Sequence, residues 1–214
     1  MSISITLRAI GFVSALSMAT WAHAAPLTMM SADFEGDLSA WTERTPGNPS
    51  GLIVADPLAS GRGNVLTFQQ VGSSGTLFSN EAVTSGNGKF MLSFDYLGLM
   101  TRGGIAGDLG GYIGVVTGID GSGLWVGGTG AYPTPLNLVD DGEWHSYSFT
   151  FTSQWGATLR VMAEDWDGSG NVARNVYFDN ISLQAVPEPT SLALVGLALA
   201  AVGASTKRRK GQGA

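Results

Sequence analysis

Short runs in which apolar and polar residues alternate with a period of two fill the chain from Met29 onward, separated by clusters of Gly, Asn, Asp and Pro. Such alternation marks strands with one buried and one solvated face, and the separations are too tight for intervening helices. The most regular run is 89–97, where Phe90, Leu92, Phe94 and Tyr96 share one face and Lys89, Met91, Ser93 and Asp95 the other. Residues 144–152 repeat it, with His145, Tyr147, Phe149 and Phe151 against Ser146, Ser148, Thr150 and Thr152. Leu66, Phe68 and Gln70, then Leu159, Val161 and Ala163, give two more; further strands are expected near 52–55, 76–78, 112–117, 124–127 and 176–183. About ten strands with polar alternate positions predict an all-β sandwich of two antiparallel sheets over residues 25–185, with no helix longer than a turn. Asp120-Gly121-Ser122-Gly123 and Asp140-Asp141-Gly142 supply residues tolerant of positive φ between strands, and the glycine-rich stretch 100–111 reads as a surface loop.

The two ends of the chain break the pattern. Residues 1–24 carry Arg8, an apolar stretch over 9–18 and the small-x-small site Ala22-His23-Ala24, the order of a secretory signal peptide cut after Ala24. This implies passage through the Sec export machinery. At the other end, Pro187-Glu188-Pro189 cannot continue a helix or a central strand, so the folded domain stops there. An apolar run then extends over 190–206, and Lys207, Arg208, Arg209 and Lys210 follow it. As a helix the eighteen positions 189–206 would reach roughly 27 Å at 1.5 Å per residue, barely enough to cross an inner-membrane core of about 30 Å. The four cations predict a cytoplasmic C-terminus.

Composition narrows the classes of function. Of 11 basic residues, Arg8 and the four tail cations fall in the end segments, which leaves six against 17 acidic ones, a net charge near −11 for the exported part. Such a surface repels polyanions and excludes general nucleic-acid binding, whose affinity comes from cations meeting phosphates. With no cysteine, a disulfide framework, a thiolate nucleophile and a Cys-based zinc site are excluded. The single histidine beyond the leader, His145, shares parity with Tyr147 and Phe149 and reads as a packed residue rather than the base of a triad. Glycines around Gly103 and Gly110 lack the strand-to-helix context and Lys-Ser/Thr of a phosphate loop.

The order Pro-Glu-Pro, apolar run, basic tail over 186–210 resembles the PEP-CTERM sorting signal of exopolysaccharide-producing Gram-negative bacteria. That resemblance implies recognition and cutting by an exosortase after transient anchoring in the inner membrane, and delivery to the cell surface or extracellular matrix. A second resemblance covers the domain more loosely. It opens with Asp33-Phe34-Glu35-Gly36 and closes with Phe178-Asp179-Asn180-Ile181, as do jelly-roll carbohydrate-binding modules. It implies a noncatalytic domain that binds polysaccharide, and a structural Ca²⁺ held by Glu35 and Asp179 where the first and last strands meet. A matrix component without a discrete ligand and a polysaccharide-active enzyme are the rivals. The Glu-x-Asp-x-x-Glu pattern of sandwich-fold laminarinases is absent, since Glu35-Gly36-Asp37 is followed by Ala40 at its last position.

Sugar binding uses exposed aromatic faces with polar groups nearby. Trp125, Tyr132, Trp155 and Trp166 fall in or beside predicted turns and are the candidate platforms, whereas Trp41 and Trp144 border strands and read as packed. Asp165-Trp166-Asp167-Gly168-Ser169-Gly170-Asn171 imitates the start of an EF-hand loop, but Val176 stands where the bidentate Glu is required, so a hairpin turn is expected there.

Overall fold

The computed structural model describes residues 27–45, 47, 50–70, 76–80, 87–99, 108–119, 123–129, 133–154, 158–167 and 175–187. The chain divides into one compact unit, Pro26–Pro187, and a second made of Met1–Ala25 with Glu188–Ala214. The second unit, and with it the expected leader, apolar segment and basic tail, lies outside the described residues. Among those that are described no helix is long and apolar enough to cross a membrane.

The unit Pro26–Pro187 is all-β, as its alternation requires. Its strands are β1 (Leu27–Ala32), β2 (Trp41–Glu43), β3 (Gly51–Ala55), β4 (Asn64–Phe68), β5 (Thr76–Ser79), β6 (Asn87–Gly98), β7 (Asp108–Val116), β8 (Gly123–Gly128), β9 (Leu136–Asn137), β10 (Trp144–Gln154), β11 (Arg160–Asp167) and β12 (Val176–Ala185). One sheet runs β10-β6-β12-β4-β3, with β1 also paired to β12; the other runs β2-β5-β11-β7-β8-β9. Pairing is antiparallel throughout except for the short β8–β9 contact, which is parallel. The strands β1, β2 and β9 were not foreseen: two of them are three residues or fewer, and the first lies directly after the expected leader.

The two inner faces meet in one core. Phe90, Leu92, Phe94 and Tyr96 of β6 face Ile113 and Val115 of β7 and Val161 and Ala163 of β11, all but excluded from solvent. Phe94 stacks on Tyr147 at 5.5 Å and 20° and leans on Phe178 at 6.2 Å. Tyr96 lies over Gly111, where a Cβ would come within 2.5 Å of the ring, so glycine is what lets the sheets close at that point. Its hydroxyl donates to Asp140 Oδ1 at 2.9 Å. The outer face of the first sheet is wet where Ser93 lies opposite Ser148 and Ser182. It is apolar where Val65, Leu97 and Tyr177 pack with Trp144 under the loop that follows β3.

Candidate functional site

The outer face of the second sheet is different in kind. In β11, Val161 and Ala163 point into the core, so Met162, Glu164 and Trp166 point away from it. Strand register then lines up side chains across the sheet. One row runs from Thr76 through Glu164 and Tyr112 to Gly128, and Arg44 joins it next to β5 by donating its backbone amide to Thr76 O at 3.2 Å. The neighbouring row runs Thr42, Phe78, Met162, Gly114, Trp125, and Trp166 lies opposite Gly110 on the far side. A Cβ on Gly114 would come within 2.2 Å of Leu124 O, and one on Gly128 within 2.3 Å of the Tyr112 ring. At both positions glycine allows the close approach of its neighbour, the β8 backbone at Gly114 and the Tyr112 ring at Gly128.

The result is a cleft of about 560 Å³ lined by Arg44, Tyr112, Trp125, Pro133, Glu164 and Trp166, within the range of small-molecule sites. Trp125 and Trp166 are both half-buried, each leaving part of its ring to solvent. Trp125 rests on the patch of Phe78, Val116 and Met162 and meets Tyr112 edge-on, 6.0 Å between centroids at 78°. Such packing fixes a ring's orientation before any ligand arrives. Beneath the rings, Glu164 is 6% exposed and its Oε2 accepts the Thr76 hydroxyl at 2.6 Å. Burial pushes its carboxyl up to about 7, with the Thr76 bond and the charge of Arg44 opposing only in part.

The cleft brings together two of the four expected platform residues, Trp125 and Trp166, across β7. Trp125 stands in β8, where a strand is expected, and Trp166 in β11 rather than in a turn. Asp165 and Asp167 also belong to β11, whose pairing to β7 continues through a bulge between Trp166 and Asp167, so the first three residues of the turn expected over 165–171 are strand, and 168–171 lie outside the described residues. Tyr132 and Trp155 lie outside the described residues. Sequence reasoning missed Tyr112, Arg44 and Glu164, which the register places in one row. Trp41 is packed as expected, 8% exposed against Phe34. His145 faces Asp141, with Nε2 2.9 Å from Oδ1.

The antiparallel pairing of β1 with β12 sets Ala32 opposite Ile181, three residues before Glu35 and two after Asp179. Phe34 and Asn180, the turning points beside them, have φ of 55° and 49°. Both carboxylates flank residues 62–64 but serve different partners. Glu35 Oε1 accepts the Asn64 amide at 2.9 Å, while Asp179 Oδ2 lies 3.5 Å from Arg62 Nη1 and also accepts from Asn180. Burial raises the Asp179 carboxyl in spite of Arg62. Arg62 also reaches Asp95 at 2.5 Å and lies 4.6 Å from the ring of Trp144. Asp95 receives Ser146 and Asn180 as well; burial works to raise its carboxyl, but these bonds and Arg62 hold it below the usual range. Among the described residues no group of three or more His, Cys, Asp or Glu is placed to hold a metal. A Ca²⁺ ion here would have to displace the Arg62 guanidinium and take most of its six to eight oxygens from carbonyls and water.

Residues 185–209 match the PEP-CTERM protein-sorting motif. The motif begins at the last residue of β12, so the fold runs directly into the sorting signal without a spacer. No curated protein sequence matches the chain. Among solved structures the sandwich is similar to a xylan-binding domain of carbohydrate-binding family 22, at 16% identity and a TM-score of 0.50, over 74% of this chain and 95% of that one. It is also similar to the N-terminal tandem of two family 22 modules from Paenibacillus barcinonensis Xyn10C, at 18% identity and a TM-score of 0.48. That match covers 76% of this chain, which spans about half of the tandem, 51%. The likeness establishes the jelly-roll sandwich fold.

Proposed function

We propose that this is an exported protein, sorted through its C-terminal motif by an exosortase, whose sandwich domain binds polysaccharide noncatalytically in the cleft of Trp125 and Trp166. One observation carries the binding reading: two half-buried tryptophans, Trp125 of them held by apolar neighbours, border a single cleft that a hydrogen-bonded carboxylate also lines. Apolar ring faces for sugar C–H groups and a polar group for hydroxyls are what glycan recognition needs. The jelly-roll fold supports the reading, and the sorting motif supports export through the Sec machinery, transient anchoring in the inner membrane and an envelope or matrix destination. Hydrolysis by paired carboxylates needs two acids across the scissile bond. Among the described residues lining the cleft, Glu164 is the one carboxylate.

Incubating the full chain with immobilised polysaccharides decides between the readings. Retention that Trp125→Ala and Trp166→Ala each abolish supports binding in the cleft. Release of reducing sugars that Glu164→Gln abolishes would make the protein an enzyme instead, with Glu164, its carboxyl up at about 7, as the acid. Neither retention nor release would leave a structural matrix role.

A further inference from the structure

The cations of the sandwich are few, and the described arginines are used in different ways. Arg62 is taken up by Asp95 and Asp179 and lies over the Trp144 ring. Arg160 donates to the carbonyls of Ser79 and Asn80 at 2.7 and 2.9 Å. Arg44 is half-buried at the wall of the aromatic cleft, yet its guanidinium makes no hydrogen bond or ion pair to any described residue. In a chain whose exported part carries a net charge near −11, this half-buried guanidinium at the wall of an aromatic cleft acts on Glu164 through its charge and keeps its N–H donors for a ligand.

Resting on the carbohydrate-binding reading, we infer that the ligand of this cleft is an acidic glycan, whose anionic substituent is read by Arg44 while its sugar rings lie on Trp125 and Trp166. Guanidinium presents two parallel N–H donors, a geometry that matches the two oxygens of a carboxylate or of a sulfate ester. The chain as a whole repels polyanions. Selective uptake of one therefore requires a local cation with apolar surroundings, and the register supplies it: Arg44 stands beside Thr76 in the row that leads through Glu164 to Tyr112. Glu164 does not cancel Arg44 for the ligand. It is buried beneath the rings, bonded to Thr76, and burial pushes its carboxyl up to about 7, so near neutrality part of the population carries no opposing charge. The same burial leaves it a donor toward an anionic oxygen when protonated.

The test is affinity electrophoresis of the full chain through gels holding polygalacturonate, sulfated dextran or a neutral xylan, with Arg44→Gln and Trp125→Ala in parallel. Arg44→Gln keeps hydrogen-bonding capacity and removes the charge. The expected result is that polygalacturonate retards the wild type most and that Arg44→Gln weakens this at least about tenfold, with little change on xylan. Trp125→Ala should abolish retardation in every gel. Retardation by sulfated dextran alone, lost in Arg44→Gln, would assign the anion to a sulfate ester. Equal retardation of wild type and Arg44→Gln in every gel, or tighter binding of xylan than of either acidic polymer, would overturn the inference and leave carbohydrate binding standing. No retardation in any gel would overturn both. A melting curve for Arg44→Gln that coincides with the wild type excludes unfolding as the cause of a loss.

Discussion

The hydroxyl of Thr76 donates to Oε2 of Glu164 at 2.6 Å, joining β5 to β11 at the base of a cleft whose walls are largely aromatic. A carboxylic acid in that setting is easier to protonate than in the unfolded chain, and stability must follow pH accordingly. The folded carboxyl titrates at about 7 and the unfolded one near 4.5. Glu164 therefore contributes fully below pH 4.5, and its contribution falls as pH rises to 7. The loss amounts to at most about 3 kcal/mol. Asp56 acts with the opposite sign at lower pH. Burial tends to raise it, but bonds from Ser60, Leu58 and Trp144 bring it down to about 2, so its contribution disappears as pH falls from 3.8 toward 2. Denaturation measured between pH 4 and 8 should show wild-type stability declining through that window and Glu164→Gln nearly flat. Identical profiles would mean that Glu164 is solvated.

Phe94 tests the core. It is 2% exposed between Tyr147 and Phe178, so Phe94→Ala should cost about 3 to 5 kcal/mol. Ser93→Ala, one residue along on the opposite face, should change stability by less than about 0.5 kcal/mol. Comparable losses by chemical denaturation would mean that both faces of β6 are buried at this point.

Calcium at Glu35 and Asp179 is our proposal from the sequence, and the structure identifies its competitor. Arg62 already faces Asp179 and Asp95. Removing it in Arg62→Ala leaves those carboxylates without their cation, so millimolar Ca²⁺ should raise the melting temperature of that variant more than that of the wild type. The gain should approach 6 to 10 °C if the ion stands at about one hundred times its Kd. If neither protein responds to calcium or to chelator, the proposal is withdrawn.

The sorting motif can be separated from the anchor. Replacing Pro187-Glu188-Pro189 with three alanines leaves the apolar run and the basic tail in place, so export and membrane insertion should continue while release from the membrane stops. Fractionation of cells expressing the variant measures this; release at the normal rate would leave only a simple anchor.

Much of this fold could be read from the chain because period-two alternation reports burial directly. The faces of β6 and β10 came out residue by residue for that reason. The cleft could be read only in part. Trp125 and Trp166 are conspicuous as residue types, and Trp125 falls within the strand expected near 124–127, but the Asp- and Gly-rich stretch 165–171 reads as a turn, which hides that Trp166 belongs to β11. Glu164 and Tyr112 carried no local signal. Their roles come from register between strands distant in sequence, and a shift by one residue would have turned each to the other face. Arg44 follows β2, a strand of three residues whose position depends on pairing with β5.

The strand that carries the sorting motif also decides how the molecule bears load. β12 lies between β6 and β4 rather than at an edge, and its hydrogen bonding extends to Val186, whose amide reaches Lys89 O at 2.8 Å just before Pro187. A pull on the tail along the strand axis, whether from a membrane or from a peptidase holding it, puts the hydrogen bonds to β6 in shear, so that they must yield together. An edge strand pulled across its axis would open like a zipper, one bond after another. A tail held from outside would thus grip the domain at a mechanically strong point, and the load would enter the sandwich through the middle of its sheet.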